Sequence, residues 1–585
     1  MPLASQAALL LGLLSCAAFA ASPGDDAHGR GLKAPLPTGF APTFKPENAG
    51  MWQSNYPTAG LFMIHANVLK DGKVIGWSTV SRETGFGTAL CDPLNPKTWP
   101  GPGKRGQKPG CKQILGKNGI SGGYNHFCSG QVTTAKSEVI MFGGHNQDID
   151  WLRHFDYANG NEKQMKVHSQ PLNSGRWYPG VVTLADGKIL MVAGVAKSGC
   201  SNYYVDLKTC ASANNPSYST YDPNTRQQSI DRFDMREQLA DAFPQSTYPH
   251  VLLLPDGGVA VVAKKSLVKY ARQGDGSLTG TSFKRVSAWP DRPGPGLVYP
   301  QTGQAILLPM EYPYTKMEFI AAGGSRKDNA TQFTPASDLA WKIDLANPAA
   351  QWESVGRMPQ ERVMGDSIIL CDGTIGFFNG AGTGIAGWGM PVSFTYADGV
   401  SYNCQTHCSM ADRDGVFEHR APIIYDPKTG AFSERDSLAK AVRPRLYHSS
   451  AVLLPSCQVM VSGSDVTGDT TAEVYSPPHL FRGPRPVIVS GSDSIVQGQD
   501  LKVQYTSQEP VTKALLLRTS ATTHSMPFDA RALWLPFKPS STSGQAVLEM
   551  PANPNLTPPG MYMIVLHTAK GAVSNAHIVS VFQRK

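Results

Sequence analysis

One unit recurs along this 585-residue chain: an apolar or mixed run, a tight pair of turn residues, then a second apolar run. Full copies sit at Asp71-Gly72, Asp186-Gly187, Asp256-Gly257 and Asp372-Gly373, and degenerate copies at Lys136-Ser137, Thr302-Gly303 and Pro455-Ser456. Asp-Gly between two such runs is a strong hairpin signal. The seven hairpins start 65, 50, 70, 46, 70 and 83 residues apart, which fits the kelch period of ~50 with loop insertions. Returning strands end in Gly143-Gly144 and Gly323-Gly324, and Tyr221-Asp-Pro and Tyr425-Asp-Pro supply outer segments, so each unit forms a four-stranded blade. The chain is predicted to be all-β, with a seven-bladed kelch-type β-propeller over residues 49–480.

After Tyr475-Ser-Pro-Pro-His the pattern changes. Residues 483–585 carry short strands separated by Ser, Gly and Pro turns, at Arg485-Pro-Val-Ile-Val, Leu501-Lys-Val-Gln-Tyr, Lys513-Ala-Leu-Leu-Leu and Met561-Tyr-Met-Ile-Val-Leu. That length and spacing suit an immunoglobulin-like β-sandwich. At the other end, residues 1–20 have the pattern of a signal peptide: an apolar core from Ala7 to Leu14, then Ala18-Phe19-Ala20 as a small-x-small cleavage site, without a basic start. Cys16, in Leu13-Leu14-Ser15-Cys16, offers lipoprotein processing as a minor alternative. Residues 21–48, rich in Gly, Pro and Asp, are expected to be a poorly ordered leader or a pro-segment. No other stretch reaches the roughly 18 apolar residues of a spanning helix, so an exported, extracellular protein is expected.

Cysteine usage agrees with export. Without Cys16, nine of the ten cysteines remain, and an odd number leaves one outside ordinary disulfides. If that one is Cys128, the other eight (Cys91, Cys111, Cys200, Cys210, Cys371, Cys404, Cys408 and Cys457) suit four bridges in an oxidising compartment. A local Cys200–Cys210 bridge is plausible on spacing, while the full connectivity stays open. Asn329-Ala-Thr331 and Asn555-Leu-Thr557 are glycosylation sequons. The formal charge of +8 is thinly spread, and its short basic clusters lack interleaved aromatics, which argues against a nucleic-acid partner.

The chemistry concentrates in four short strings. Tyr447 and His448 lie side by side in Arg443-Pro-Arg-Leu-Tyr-His-Ser-Ser, just before an apolar run; Cys128 lies in His-Phe-Cys-Ser-Gly-Gln, Tyr178 in Arg-Trp-Tyr-Pro, and His524 in Thr-Thr-His-Ser. Two imidazoles and two phenolic oxygens suit one Cu(II) in a tetragonal N,O site, and a thiol beside a phenol adds a redox partner. Singly, each is more often a core residue; a free buried cysteine is usually just a small hydrophobe. Their joint occurrence carries the reading.

In order and local context these strings resemble the copper radical oxidases, the galactose oxidase and glyoxal oxidase family, from about residue 50 to the C-terminus. The resemblance implies a Cys128–Tyr178 thioether carrying a tyrosyl radical and one copper ion held by Tyr178, Tyr447, His448 and His524. Tyr447 would be the axial ligand and the general base. Because His524 belongs to the second domain, a hairpin of that domain must reach into the propeller. Arg531 matches the family's His-Ser-x5-Arg spacing and is expected to be structural or to support the ligands. Asn379-Gly-Ala-Gly-Thr-Gly-Ile-Ala-Gly-Trp388, preceded by Arg362-Val-Met-Gly, resembles the glycine-rich loop of glyoxal oxidases. Where galactose oxidase stacks a tryptophan on the thioether this chain has Ala196, which leaves Trp388 or Trp151 as candidates and makes sugar specificity doubtful.

The implied reaction is oxidation of small aldehydes, as hydrates, or of primary alcohols, with dioxygen reduced to hydrogen peroxide, by a secreted enzyme expected to be a monomer. The alternative is a non-catalytic carbohydrate- or wall-binding propeller. Two other clusters get structural readings: His145-Asn-Gln-Asp148-Ile-Asp150 as a polar loop, and Cys404-Gln-Thr-His407-Cys408 as disulfide-forming.

Overall fold

A computed structural model of the protein describes residues 45–53, 61–78, 87–95, 111–114, 125–145, 148–157, 166–197, 210–330, 334–386, 392–395, 401–404, 418–464 and 470–584. The predicted signal and leader segments, Cys200, His407, Cys408 and Trp388 lie outside them.

Seven four-stranded antiparallel blades are present among the described residues, as the hairpin repeat predicts. Their innermost strands are His65–Val68, Gly130–Thr133, Gly180–Thr183, His250–Leu253, Gln304–Leu307, Asp366–Ile369 and Ser450–Leu453, blades 1 to 7. The ring closes where the innermost strand of blade 7 contacts that of blade 1. Every Asp-Gly pair turns from the innermost strand to the next, with glycine φ values of 80, 77, 83 and 82° at Gly72, Gly187, Gly257 and Gly373. Each aspartate Oδ1 accepts the backbone N–H two residues on, at Lys73, Lys188, Gly258 and Thr374. Ser137 and Cys457 hold the same left-handed conformation in two of the degenerate turns.

Blade 5 departs from the expectation. Thr302-Gly303 precedes the innermost strand; the connection to the next strand, Glu318–Ala322, is the longer segment 308–317. It is long because it serves the second domain: Met310 N–H donates to Ala532 O, and Trp534 N–H donates to Met310 O. Nor did the repeat anticipate how the ring is fastened. Met51–Gln53 pairs with Ala472–Ser476 as the fourth strand of blade 7, so the two ends of the propeller share one sheet.

The C-terminal region is a sandwich of two sheets, one of four strands around Leu501–Thr506 and one of five around Val511–Arg518 and Gly560–Thr568. Its apolar residues run without a break into those of blades 4 and 5, where Leu307, Phe319 and Trp352 join Leu516, Leu533 and Ile564 in one core. Buried Arg531 stitches the two parts, donating to Asn555 O and, across the boundary, to Leu253 O; its role is structural. The predicted hairpin leaves this sandwich: Ala521–Thr523 pairs antiparallel with His65–Asn67 and enters the propeller beside blade 1.

Disulfides join Cys91 to Cys111 within blade 1 and Cys371 to Cys457 between the turns of blades 6 and 7. Cys210 is also disulfide-bonded, and Cys128 is a buried thiol outside these bridges. The Asn555 sequon is packed rather than offered: Asn555 Nδ2 donates to Pro255 O, and Thr557 is fully buried. Among the described residues no helix is long and apolar enough to cross a membrane.

Candidate metal centre

In six of the seven blades, the residue two positions before the innermost strand adopts a left-handed backbone. These are Cys128 (φ 60°), Tyr178 (61°), Tyr248 (46°), Thr302 (21°), Met364 (54°) and His448 (63°). Such a conformation costs a side-chain-bearing residue roughly 1 kcal/mol, so it persists only where neighbouring structure imposes it. Here adjacent blades do so. Tyr178 N–H donates to Cys128 O, Tyr248 N–H to Tyr178 O, and Met364 N–H to Thr302 O, linking ring residue to ring residue. Buried arginines brace the same turns: Arg176 binds Ala193 O and Ser217 O, and Arg362 binds Asn379 O and Ala421 O. Arg445 binds Thr471 O and Glu473.

Three of the five residues singled out in the sequence, Cys128, Tyr178 and His448, therefore occupy equivalent positions on one ring, with Tyr447 beside His448. The fifth, His524, arrives on the hairpin with φ 48°. Cys128 Sγ and the ligand nitrogens of His448 and His524 lie within 4.8 Å of one another. His524 Nε2 is 3.5 Å from that sulfur. The ring centroids are 4.7 Å apart for His448 and His524, 3.7 Å for Tyr447 and His448, and 5.5 Å for Tyr178 and His524. All five side chains are buried.

The hydrogen bonds settle the state of His524. Thr523 Oγ1 donates its single proton to Ile64 O, so at 2.6 Å from His524 Nδ1 it must accept; the imidazole carries its proton on Nδ1 and Nε2 is bare. Burial, reinforced by His448 and His65, holds this imidazole well below its usual pKa. Burial likewise pushes the Tyr178 and Tyr447 phenols well above 10, with Cys128 adding most to the effect at Tyr178 and Tyr299 at Tyr447. Without a nearby positive charge both phenols stay protonated. A divalent cation beside two neutral imidazoles and two phenols would supply that charge, so the donor set fits copper in an N,O environment.

Tyr299 was not singled out in the sequence. It stacks on Tyr178 with centroids 4.5 Å apart and an interplanar angle of 21°. Its hydroxyl stands 3.4 Å from that of Tyr178 and 3.2 Å from that of Tyr447, bridging the two. A lone Tyr-Pro in a connection carries no sequence signal that would have found it. Of the tryptophans considered for this place, Trp151 opens an outer strand of blade 2 and Trp388 lies outside the described residues. Trp177 instead lies against Tyr178, at 4.7 Å, and contacts His145 at 4.9 Å. Asp148 accepts Asn125 N–H, as expected of a loop-shaping carboxylate.

Residues 123–413 match the family described as glyoxal oxidase N-terminus, and residues 485–581 match the galactose oxidase-like early set domain. The chain belongs to the copper radical oxidase family. The match to the glyoxal oxidase N-terminus covers the blades carrying Cys128 and Tyr178. A WSC domain-containing protein of Arthroderma benhamiae is 26% identical over 67% of this chain, which spans 38% of that relative's length. An aldehyde oxidase of Vitis pseudoreticulata is 25% identical over 75% of this chain and 78% of its own. In fold, the copper complex of a fungal alcohol oxidase of the AA5 family superposes with a TM-score of 0.68 at 17% identity, over 92% of this chain and 100% of the other.

Proposed function

We propose that this copper radical oxidase is a secreted enzyme that oxidises small aldehydes, through their hydrates, or primary alcohols, and reduces dioxygen to hydrogen peroxide. The observation that carries the proposal is the convergence of Cys128, Tyr178, Tyr447, His448 and His524 on one buried point. His448, His524, Tyr178 and Tyr447 would hold the metal. Bound copper supplies a one-electron acceptor and acidifies a nearby hydroxyl.

The remaining chemistry falls to the chain's own groups. Joining Cys128 Sγ to a ring carbon of Tyr178 removes the thiol hydrogen and one ring hydrogen, with two electrons passing to dioxygen to give peroxide. In turnover, Tyr447 takes the substrate's hydroxyl proton and oxidised Tyr178 takes a hydrogen atom from the adjacent carbon. With the second electron accepted, the substrate has lost two hydrogens and two electrons and leaves as the carbonyl or acid. Tyr299 packs against one of these phenols and hydrogen-bonds the other, which places it to steady both. Burial excludes water, which protects a radical.

Substrate choice is tested by peroxide release, in a coupled peroxidase assay, across glyoxal, methylglyoxal, simple primary alcohols and galactose. With Ala196 at the position of the stacking tryptophan, small aldehydes should lead. Galactose exceeding every small aldehyde would overturn the substrate assignment. Silence on all, in copper-loaded protein carrying the thioether, would favour a binding propeller.

A further inference from the structure

Three junctions of the ring carry a backbone hydrogen bond from one left-handed residue to the next, and the turn of Cys128 is held in a different way. Between blades 2 and 3, 3 and 4, and 5 and 6, the left-handed residue donates its N–H to the backbone carbonyl of the corresponding residue in the preceding blade. Cys128 does not: its N–H donates to a side chain, His65 Nε2, at 3.0 Å. His65 opens the innermost strand of blade 1, has no exposed surface, and stacks on Trp77 with centroids 4.8 Å apart and an interplanar angle of 11°.

The surrounding bonds dictate the tautomer. Gln131 Nε2 faces only acceptors, Ala66 O, Asn67 Oδ1 and Thr522 O, so its Oε1 points to His65 Nδ1, 2.6 Å away. Nδ1 therefore carries the proton and Nε2 is free to accept from Cys128. Thr522 lies two residues before His524, on the hairpin that pairs with the strand His65–Val68. One histidine thus contacts the turn that aims the thiol, and through Gln131 the hairpin that delivers an imidazole.

We infer that His65 is a positioning residue for the metal centre: it holds Cys128 in its left-handed turn and ties that turn to the hairpin bearing His524, so that the sulfur faces Tyr178. Its consequence for cross-linking rests on the proposed function; the hydrogen bond itself does not. Substitution separates the two ends of the imidazole. In His65→Gln the terminal amide falls near Nε2 and keeps an acceptor for Cys128. In His65→Asn the amide falls near Nδ1, keeping the contact to Gln131 but leaving Cys128 N–H without its acceptor. His65→Phe removes both while retaining a ring over Trp77.

The first measurement is amide hydrogen exchange at Cys128 in metal-free protein. Exchange at least tenfold faster in the Asn and Phe variants than in wild type and the Gln variant is expected, and equal exchange in all four would overturn the inference. The second is the rate at which copper-loaded, aerated protein loses two hydrogens by intact mass. Wild type and Gln should mature together, with Asn and Phe at least tenfold slower; a Phe or Asn variant maturing at the wild-type rate would also overturn it. Should the Phe protein fail to fold, the Asn and Gln pair carries the same contrast. Wild-type protein that exchanges slowly at Cys128 but never loses the two hydrogens would count against the thioether reading and leave the role of His65 in the turn intact.

Discussion

His448 and His524 bring an imidazole to the same point, yet the fold delivers them by different routes. His448 is a member of the propeller's own ring, set by a left-handed turn and braced by buried Arg445, whose guanidinium pairs with Glu473 at 2.9 Å. His524 comes from another domain, on a hairpin whose Thr523 bonds Ile64 across a separation of 459 residues. One imidazole is positioned by contacts within the propeller. The other requires the sandwich to dock. The centre is therefore complete only in the assembled molecule, and damage to each route should read out differently.

The largest effect is expected where the routes meet. Replacing either histidine by alanine removes one of two imidazoles, and both variants should lose copper on dialysis and turn over at the assay floor. Wild-type oxygen uptake by either would remove that residue from the site. Tyr447→Phe keeps the ring beside His448 but not the proton acceptor. It should retain copper, by metal analysis, and lose ~10²- to 10⁴-fold in kcat.

The propeller route is struck by Arg445→Leu, which leaves the Glu473 carboxylate buried and unpaired. Breaking such a pair typically costs ~3–5 kcal/mol, so the denaturation midpoint of the whole protein should fall. A midpoint unchanged from wild type would show that His448 does not depend on this brace. The hairpin route is struck more gently by Thr523→Val, which removes the acceptor for His524 Nδ1–H. Copper affinity should drop by ~10- to 100-fold, as for other lost partners of metal-bound histidines, with little change in stability. The opposite pattern, full affinity and lowered stability, would mean that Thr523 serves docking and not the ligand.

The same contrast separates what could be read in the sequence from what could not. Local signals were legible: six of the seven turns fall where the pairs at residues 71, 136, 186, 256, 372 and 455 predict, because hairpin chemistry is contained in a few neighbouring residues. Thr302-Gly303 misled because its true strand partner lies beyond a ten-residue excursion that another domain shapes. The pairing of Met51–Gln53 with Ala472–Ser476 left no local trace, since nothing near either segment names its partner. The site followed the same rule. Cys128, Tyr178, Tyr447, His448 and His524 sit in strings that resemble a known family. Tyr299 and His65 act through a ring stack and a hydrogen bond that exist only once blades adjoin.

The central claim is that thiol, phenol and imidazoles form one redox centre, and its most direct test is the mass of the protein after copper loading in air and full disulfide reduction, with peptide mapping of Cys128 and Tyr178. The account predicts a persistent cross-linked peptide pair lighter by two hydrogens than its separate parts. Recovery of the Cys128 and Tyr178 peptides as separate, unmodified species from copper-containing protein would contradict it.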